Sequence, residues 1–262
     1  MNFREFEHAG WEQLPQRYHD AWGSLTSQAI DPLLDAAGVG RNTRLLDVAS
    51  GPGYVAGAAA ARGANVVGVD FSAAMVEQAR RRYPKVRFQE GDAEELPFPD
   101  AVLDAVTMNF GMLHLGRPEQ AMREARRVLK PGGRFAFTVW AKPEEARAFG
   151  IVLGAIRRHG NPDAPIPAGP PFFRFSDEAE SRRSLIEAGF AAPRFRKIPQ
   201  TWRFDSPQDL WAFMYGSTVR TGALLRAQAP EALEAIRAEV IAAATKELPM
   251  PAVLAFATKE VS

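Results

Sequence analysis

Residues Arg44 to Tyr54 read RLLDVASGPGY, and Asp70 follows sixteen residues after their end. Leu45, Leu46, Asp47 and Val48 have strand character around a single carboxylate. Ala49, Ser50, Gly51, Pro52 and Gly53 form a small-residue turn, and the Ala-rich run Val55 to Arg62 reads as a helix. The pattern is strand, tight turn, helix. Glycine at Gly51 and Gly53 permits positive φ and removes the Cβ that would keep a ligand off the turn. The helix opening there offers unpaired N–H groups to a carboxylate or phosphate.

Working outward, the alternation continues. Strand Asn65 to Val69 leads to helix Ala73 to Arg82, strand Val86 to Gln89 leads to the loop GDAEELPFPD, and strand Ala105 to Asn109 leads to helix Pro118 to Leu129. A turn at Lys130-Pro131-Gly132-Gly133 then opens the apolar strand Arg134 to Trp140. Strands alternating with helices imply a parallel sheet with helices on both faces and a ligand at its carboxyl edge.

Upstream, residues 2–38 carry Trp11, Tyr18, Trp22 and Leu25 among polar residues and read as one or two helices. Asp31 fits an N-cap before Pro32, and Gly38 fits a stop. These aromatic residues are expected to pin the segment onto the core, in preference to Tyr18, His19 and Trp22 folding over a ligand. Downstream the alternation loosens. Helix Glu144 to His159 gives way to NPDAPIPAGPPFFRF, whose five prolines call for an ordered loop. A helix capped by Ser176 and stopped at Gly189, a strand Arg194 to Phe204, helices between Asp209 and Lys246, and a final strand Ala252 to Thr258 complete the reading.

The chain has 262 residues, enough for one large α/β domain with insertions. Its 32 Lys and Arg nearly balance 31 Asp and Glu, so no global charge points to nucleic acid or an anionic membrane. The absence of cysteine removes disulfides, thiolate metal sites and cysteine nucleophiles, leaving oxygen, nitrogen or a cofactor to do any chemistry. No metal site is expected. The charged N-terminus lacks an apolar h-region and no run approaches a membrane span, so a cytoplasmic protein without stable membrane insertion is expected.

The glycine turn alone is ambiguous: Gly51-x-Gly53-x-x-Ala56 satisfies the dinucleotide fingerprint, with Asp70 suitably placed for a ribose. What separates the readings lies downstream. Val69-Asp70-Phe71-Ser72-Ala73-Ala74-Met75, Gly91 to Phe98, Asp104 to Phe110 and Leu129 to Gly133 stand in an order and spacing that resembles class I S-adenosylmethionine-dependent methyltransferases. The branch typified by ubiquinone and menaquinone biosynthesis methyltransferases, with its methyltransferase type 11 domain, is the most similar. The resemblance covers Leu45 to Val139 well and the rest loosely. It implies a Rossmann-like α/β fold with a seven-stranded, mostly parallel sheet, helices on both faces, an N-terminal helical segment and helical cap insertions. As domains it implies one unit over residues 1–262: a helical lid (1–40), a cofactor-binding core (41–142) and a C-terminal half with insertions for the acceptor (143–262).

Carried over residue by residue, the resemblance implies S-adenosylmethionine as cofactor, with S-adenosylhomocysteine as product, transferring a methyl group by in-line displacement. Asp47 would hold the methionyl ammonium, with the backbone of Ala49, Gly51 and Gly53 near the methionyl portion. Asp70 would take the ribose hydroxyls, Phe71, Ser72 and Met75 would flank adenine, and Asp92 with Ala93 would read its edge. Asn109 and Phe110 would border the transferring methyl, and Tyr18 and Trp22 are counted among the candidate cofactor contacts. Ala49 stands where many members have glycine, so a shifted backbone contact is expected there. Asn109-Phe110-Gly111-Met112 is not the Asn-Pro-Pro-Tyr/Phe pattern, which turns the expectation from nucleic acid and protein glutamine towards a small-molecule acceptor, apolar or planar, methylated on oxygen, carbon or nitrogen.

A base is needed only if the acceptor loses a proton, and His114, Tyr18 and His19 are the residues for that role. The acceptor pocket is expected under the N-terminal aromatic segment and under Phe172, Phe173, Phe175, Trp211, Phe213, Met214 and Tyr215, with the core of a helical cap or a homodimer interface as the competing use of these side chains. Arg174 and Arg220 are expected at the surface, in preference to pairing with a carboxylate on the acceptor. Two alternatives share the turn: an NAD(P)-dependent oxidoreductase, and a non-catalytic S-adenosylmethionine-binding regulatory protein.

Overall fold

The computed structural model describes residues 1–260. Three helices come first: α1 (Phe3–Gln13), α2 (Pro15–Thr26) and α3 (Ile30–Ala36). Helix α1 begins at a capping box, Asn2 Oδ1 accepting from the Glu5 N–H while Glu5 accepts from the Asn2 N–H, both at 2.9 Å. Asp31 is not the cap expected of it. Helix α3 opens one residue earlier, and Asp31 in its first turn pairs instead with Arg62 at 2.5 Å.

The alternating core then follows as β1 (Arg44–Val48), α4 (Tyr54–Ala61), β2 (Asn65–Asp70), α5 (Ala73–Arg82), β3 (Arg87–Glu90), β4 (Leu103–Asn109), α6 (Pro118–Val128) and β5 (Leu129–Trp140). The remaining elements are α7 (Arg147–His159), α8 (Glu178–Glu187), β6 (Ala191–Ile198), β7 (Thr201–Arg203), α9 (Pro207–Gly216), α10 (Arg220–Arg226), α11 (Pro230–Ala243), β8 (Glu247–Pro249) and β9 (Ala252–Thr258).

Seven strands form the sheet in the order β3-β2-β1-β4-β5-β9-β6. Strand β1 pairs in parallel with both β2 and β4, and β9 alone runs antiparallel, between β5 and β6. This is the Rossmann-like, mostly parallel sheet expected of the sequence. Chain order reverses between β1 and β4, so the loops after these two strands diverge to opposite faces and leave a crevice at their carboxyl ends. Leu45, Leu46, Ala105, Val106, Phe135 and Phe137 are fully buried, as expected of strands covered on both faces.

Four local expectations are corrected. Lys130-Pro131-Gly132-Gly133 is a bulge inside β5: the register jumps from Leu103 opposite Leu129 to Ala105 opposite Arg134, with Gly132 at φ 80°. Helix α7 starts at Arg147, three residues later than expected, and α8 is capped by Asp177, which accepts from the Glu180 N–H at 3.1 Å, instead of Ser176. The strand read over Arg194 to Phe204 is two strands in different sheets. It breaks at Pro199 and Gln200, where Gln200 turns its amide to the Leu25 carbonyl at 2.7 Å, and β7 pairs with β8. Residues 199–251 thus form a helical insertion between β6 and β9, carried on a two-stranded ribbon. No helix among the described residues is long and apolar enough to cross a membrane.

Candidate active site

The crevice at the carboxyl ends of β1 and β4 opens into a cavity of about 1220 Å³, its mouth included. Its floor is the turn after β1. Ala49, Gly51 and Gly53 all sit at positive φ (52°, 49° and 84°), so the chain turns sharply and presents backbone to the cavity. A Cβ at Gly51 would meet nothing within 4 Å, which leaves its backbone face open to a ligand. A Cβ at Gly53 would meet Phe88 at 2.7 Å, so this glycine serves helix packing and does not line the cavity. Ala49 adopts a left-handed conformation that costs a residue with a Cβ about 1 kcal/mol. This explains why glycine suits the position better than alanine.

Three acids edge the cavity. Asp47 is the next-to-last residue of β1, 1% exposed, accepting from the Ala56 N–H of α4 at 3.1 Å and from Thr107 Oγ1 on neighbouring β4 at 3.2 Å. Burial pushes its carboxyl up to about 7, against the pull of those two hydrogen bonds. Asp70 ends β2, 6% exposed, and spans the turn by accepting from the Gly51 N–H at 2.7 Å and the Ser72 N–H at 3.0 Å. Burial raises it to about 6. Neither carboxylate forms an ion pair among the described residues, so both are desolvated acids on the cavity edge, an acceptor set that suits an ammonium or hydroxyl-bearing ligand. Asp92, after β3, is partly exposed. Its Oδ1 accepts from the Glu94 N–H, and its Oδ2 pairs with Arg4 of α1 at 2.6 Å.

Helix α1 lies across this end. Besides the Arg4 ion pair, His8 meets Phe71 edge to face at 5.3 Å, and Glu12 accepts from the Ala74 N–H at 3.4 Å. Phe71, Met75, Ala93, Asn109 and Phe110 all line the cavity. Ser72 does not: fully buried, it caps α5 by accepting from the Met75 N–H at 3.1 Å. Asn109 is tied to α2 by donating to the Thr26 carbonyl, and it accepts from Thr138 Oγ1 at 2.6 Å. Phe110, at φ 56°, stacks on Trp140 with ring centres 4.0 Å apart.

Tyr18 and Trp22 both reach the cavity, so the expectation that they only pin the segment to the core is corrected. Trp22 does both: it packs on Trp202 at 4.2 Å and donates to Ser217 Oγ at 2.9 Å. Burial pushes the Tyr18 hydroxyl up to about 12. It stays protonated at neutral pH, and its O–H donates to Thr26 Oγ1 at 3.4 Å. His19 is not among the lining residues and turns its Nδ1 to Tyr54 Oη at 2.5 Å.

His114 lines the cavity, and its Nδ1 lies 3.0 Å from Oε2 of Glu7. Glu7 is fully buried in α1, also accepts from Trp11 Nε1 at 3.1 Å, and has no partner for Oε1. A carboxylate bonded to one imidazole nitrogen fixes the ring's orientation and leaves Nε2 for the cavity side. The Glu7 contact spans more than a hundred residues of chain, so no local pattern signals it.

The aromatic roof differs from expectation. Of the seven side chains anticipated there, only Phe172 lines the cavity. Phe175 and Met214 are core, and Trp211 stacks on Tyr215 at 5.3 Å outside it. Trp11 of the N-terminal segment lines the cavity as expected, and Trp140, Phe149 and the polar run Ser217 to Thr221 take the remaining places. Ile186 and Met1 are the exposed large apolar residues among those described, which leaves little apolar surface for a dimer interface. Arg174 is held by Glu119 and Glu180 as a peripheral residue, whereas Arg220 lines the cavity, contrary to expectation. No group of three or more His, Cys, Asp or Glu among the described residues could hold a metal ion.

Comparison with known proteins follows the same lines. Residues 46–137 match the family described as "Methyltransferase domain". A demethylmenaquinone methyltransferase of Renibacterium salmoninarum is 40% identical over 175 residues, 63% of this chain and 74% of that one. Another of the same name, from Clavibacter sepedonicus, is 42% identical over 125 residues, 47% of this chain and 48% of that one, so this match spans about half the relative's length. Among solved structures, the YcgJ protein from Bacillus subtilis superposes with a TM-score of 0.61 at 22% identity, over 89% of this chain and 99% of that one.

Proposed function

The chain belongs to the S-adenosylmethionine-dependent methyltransferases, and from that premise we propose that it methylates oxygen, carbon or nitrogen of a small, planar and largely apolar acceptor, releasing S-adenosylhomocysteine. One observation carries the reading: Asp47, Asp70 and Asp92 edge a single cavity at the point where strand order reverses. Spaced along one sheet edge, three carboxylates suit the amine, sugar and purine of one nucleoside. The names of the relatives support a quinol-like ring as the acceptor class.

The cofactor's sulfonium supplies both the electrophile and the leaving group, so the protein's work is orientation and exclusion of water. In the proposed arrangement Asp47 faces the ammonium, Asp70 accepts from ribose hydroxyls, and Phe71 and Met75 sandwich the purine. Asp92 and the Ala93 N–H address its edge once Arg4 releases Oδ2. Asn109 and Phe110 border the transferring methyl, with Tyr18 and Trp22 above. If the acceptor gives up a proton, His114 Nε2 takes it, with Glu7 positioning the ring. Residues 1–40 then act as lid, 41–142 as cofactor core, and 143–262 as acceptor-binding half.

Calorimetry tests the reading. S-adenosylmethionine and S-adenosylhomocysteine should bind with about one-to-one stoichiometry and NAD should not. Asp70→Ala should lose most of that affinity, and its binding as tightly as the parent would refute the assignment. A screen of hydroxylated and quinol aromatics with methyl-labelled cofactor separates an enzyme from a silent binding protein.

A further inference from the structure

Arg220, the first residue of α10, is the only Lys or Arg among the residues lining the cavity. Its guanidinium lies over the rings of Phe3 at 5.0 Å and Phe172 at 5.5 Å, and its Nη1 donates to the Pro170 carbonyl at 2.9 Å. It makes no ion pair among the described residues, unlike Arg117, Arg127 and Arg174, each held by at least one carboxylate. A guanidinium carries five N–H donors in a planar fork suited to a carboxylate or similar oxyanion. Removing it from water without spending those donors is costly. Burial accordingly holds Arg220 below its ordinary pKa, and Glu7 offsets this only from beyond ion-pair distance. Glu7 spends Oε2 on His114 and Trp11, and its buried Oε1 makes no bond to Arg220.

The cavity therefore holds one cation whose donors are largely unspent. Asp47, Asp70 and Asp92, this one guanidinium and the rings of Trp11, Trp140 and Phe172 all line the same cavity. His114 occupies the same corner as Arg220, since Phe172 is edge-on to the imidazole at 6.0 Å and under the guanidinium. We propose that Arg220 recognises a negatively charged oxygen of the acceptor, a carboxylate or an ionised ring hydroxyl, so that the acceptor is an aromatic anion with its ring among Trp11, Trp140 and Phe172. The proposal rests on the methyltransferase reading and adds the acceptor's charge and its point of attachment. A role confined to clamping the proline-rich loop against Phe3 would make no distinction between a charged and a neutral ligand.

The test compares naphthalene-2-carboxylate with its neutral counterpart naphthalene-2-carboxamide, titrated into the full chain saturated with S-adenosylhomocysteine. The parent should bind the anion about tenfold more tightly or better, the scale of one charge-assisted hydrogen-bonded pair. Arg220→Gln should erase the preference, and Arg220→Lys should keep part of it. A separate S-adenosylhomocysteine titration of each variant reports that the fold and the cofactor side are intact. No anion preference in the parent, no binding of either probe, or a preference that survives in Arg220→Gln overturns the proposal. Failure of S-adenosylhomocysteine to bind the parent refutes instead the reading beneath it.

Discussion

At Ala49 a methyl group occupies a backbone conformation that favours glycine, with φ at 52° and its Cβ against Gly111. Ala49→Gly relieves the left-handed strain of about 1 kcal/mol and gives back about 0.4–1 kcal/mol of it as unfolded-chain entropy, so a net stabilisation of no more than about 0.6 kcal/mol is expected in urea denaturation. The pH response of Asp47 is a second prediction at this scale. The folded carboxyl titrates at about 7, against 3.8 when exposed. Between those values the folded chain holds a proton that the unfolded chain has lost. The stability this contributes is fully present below about pH 4 and is lost as pH rises towards 7. A ligand ammonium favours the ionised form, so affinity for S-adenosylhomocysteine should tighten from about pH 5.5 to 8 with proton release, measured by calorimetry in buffers of different ionisation enthalpy. Asp47→Asn should bind more weakly and flatten that dependence.

Among the elements, the pairing of β2 with β3 shows packing overriding propensity. Gly68 stands opposite Phe88, whose ring covers it, and a Cβ there would meet Phe88 Cδ1 at 2.4 Å. Strand propensity alone would favour any side chain over glycine. Phe88 is 3% exposed and has little room to move, so Gly68→Ala should destabilise the fold by about 1–3 kcal/mol in chemical denaturation. Helix α1 shows how a peripheral element enters a site. Glu7, Trp11 and Arg4 point to His114, to the cavity and to Asp92 respectively, one from each of successive turns.

For the whole molecule, the two buried acids and the roof residues drawn from α1, β5, α7 and the insertion between β6 and β9 make folding and ligand binding one linked equilibrium. S-adenosylhomocysteine at a hundred times its dissociation constant should add about 2.7 kcal/mol to stability. This should appear as a raised melting temperature in thermal-shift measurements, with NAD leaving it unchanged. The shift should be smaller in Asp70→Ala than in the parent.

The amino-acid sequence by itself determined the alternation of strands and helices, the glycine turn and the acid at or next to the end of each of the first two strands. Those are local patterns, set by side-chain period and backbone sterics within a few residues. Strand ends in a parallel sheet necessarily converge on one edge, so Asp47, Asp70 and Asp92 could be placed together without coordinates. Only the tertiary structure decided that Glu7 holds His114, that His19 turns away, that Ser72 and Gly53 serve packing, and that Arg220 faces the cavity while Arg174 does not. Each of these depends on how elements far apart in the chain pack against one another, and a side chain's nearest partner across such a contact leaves no trace in its own sequence neighbourhood.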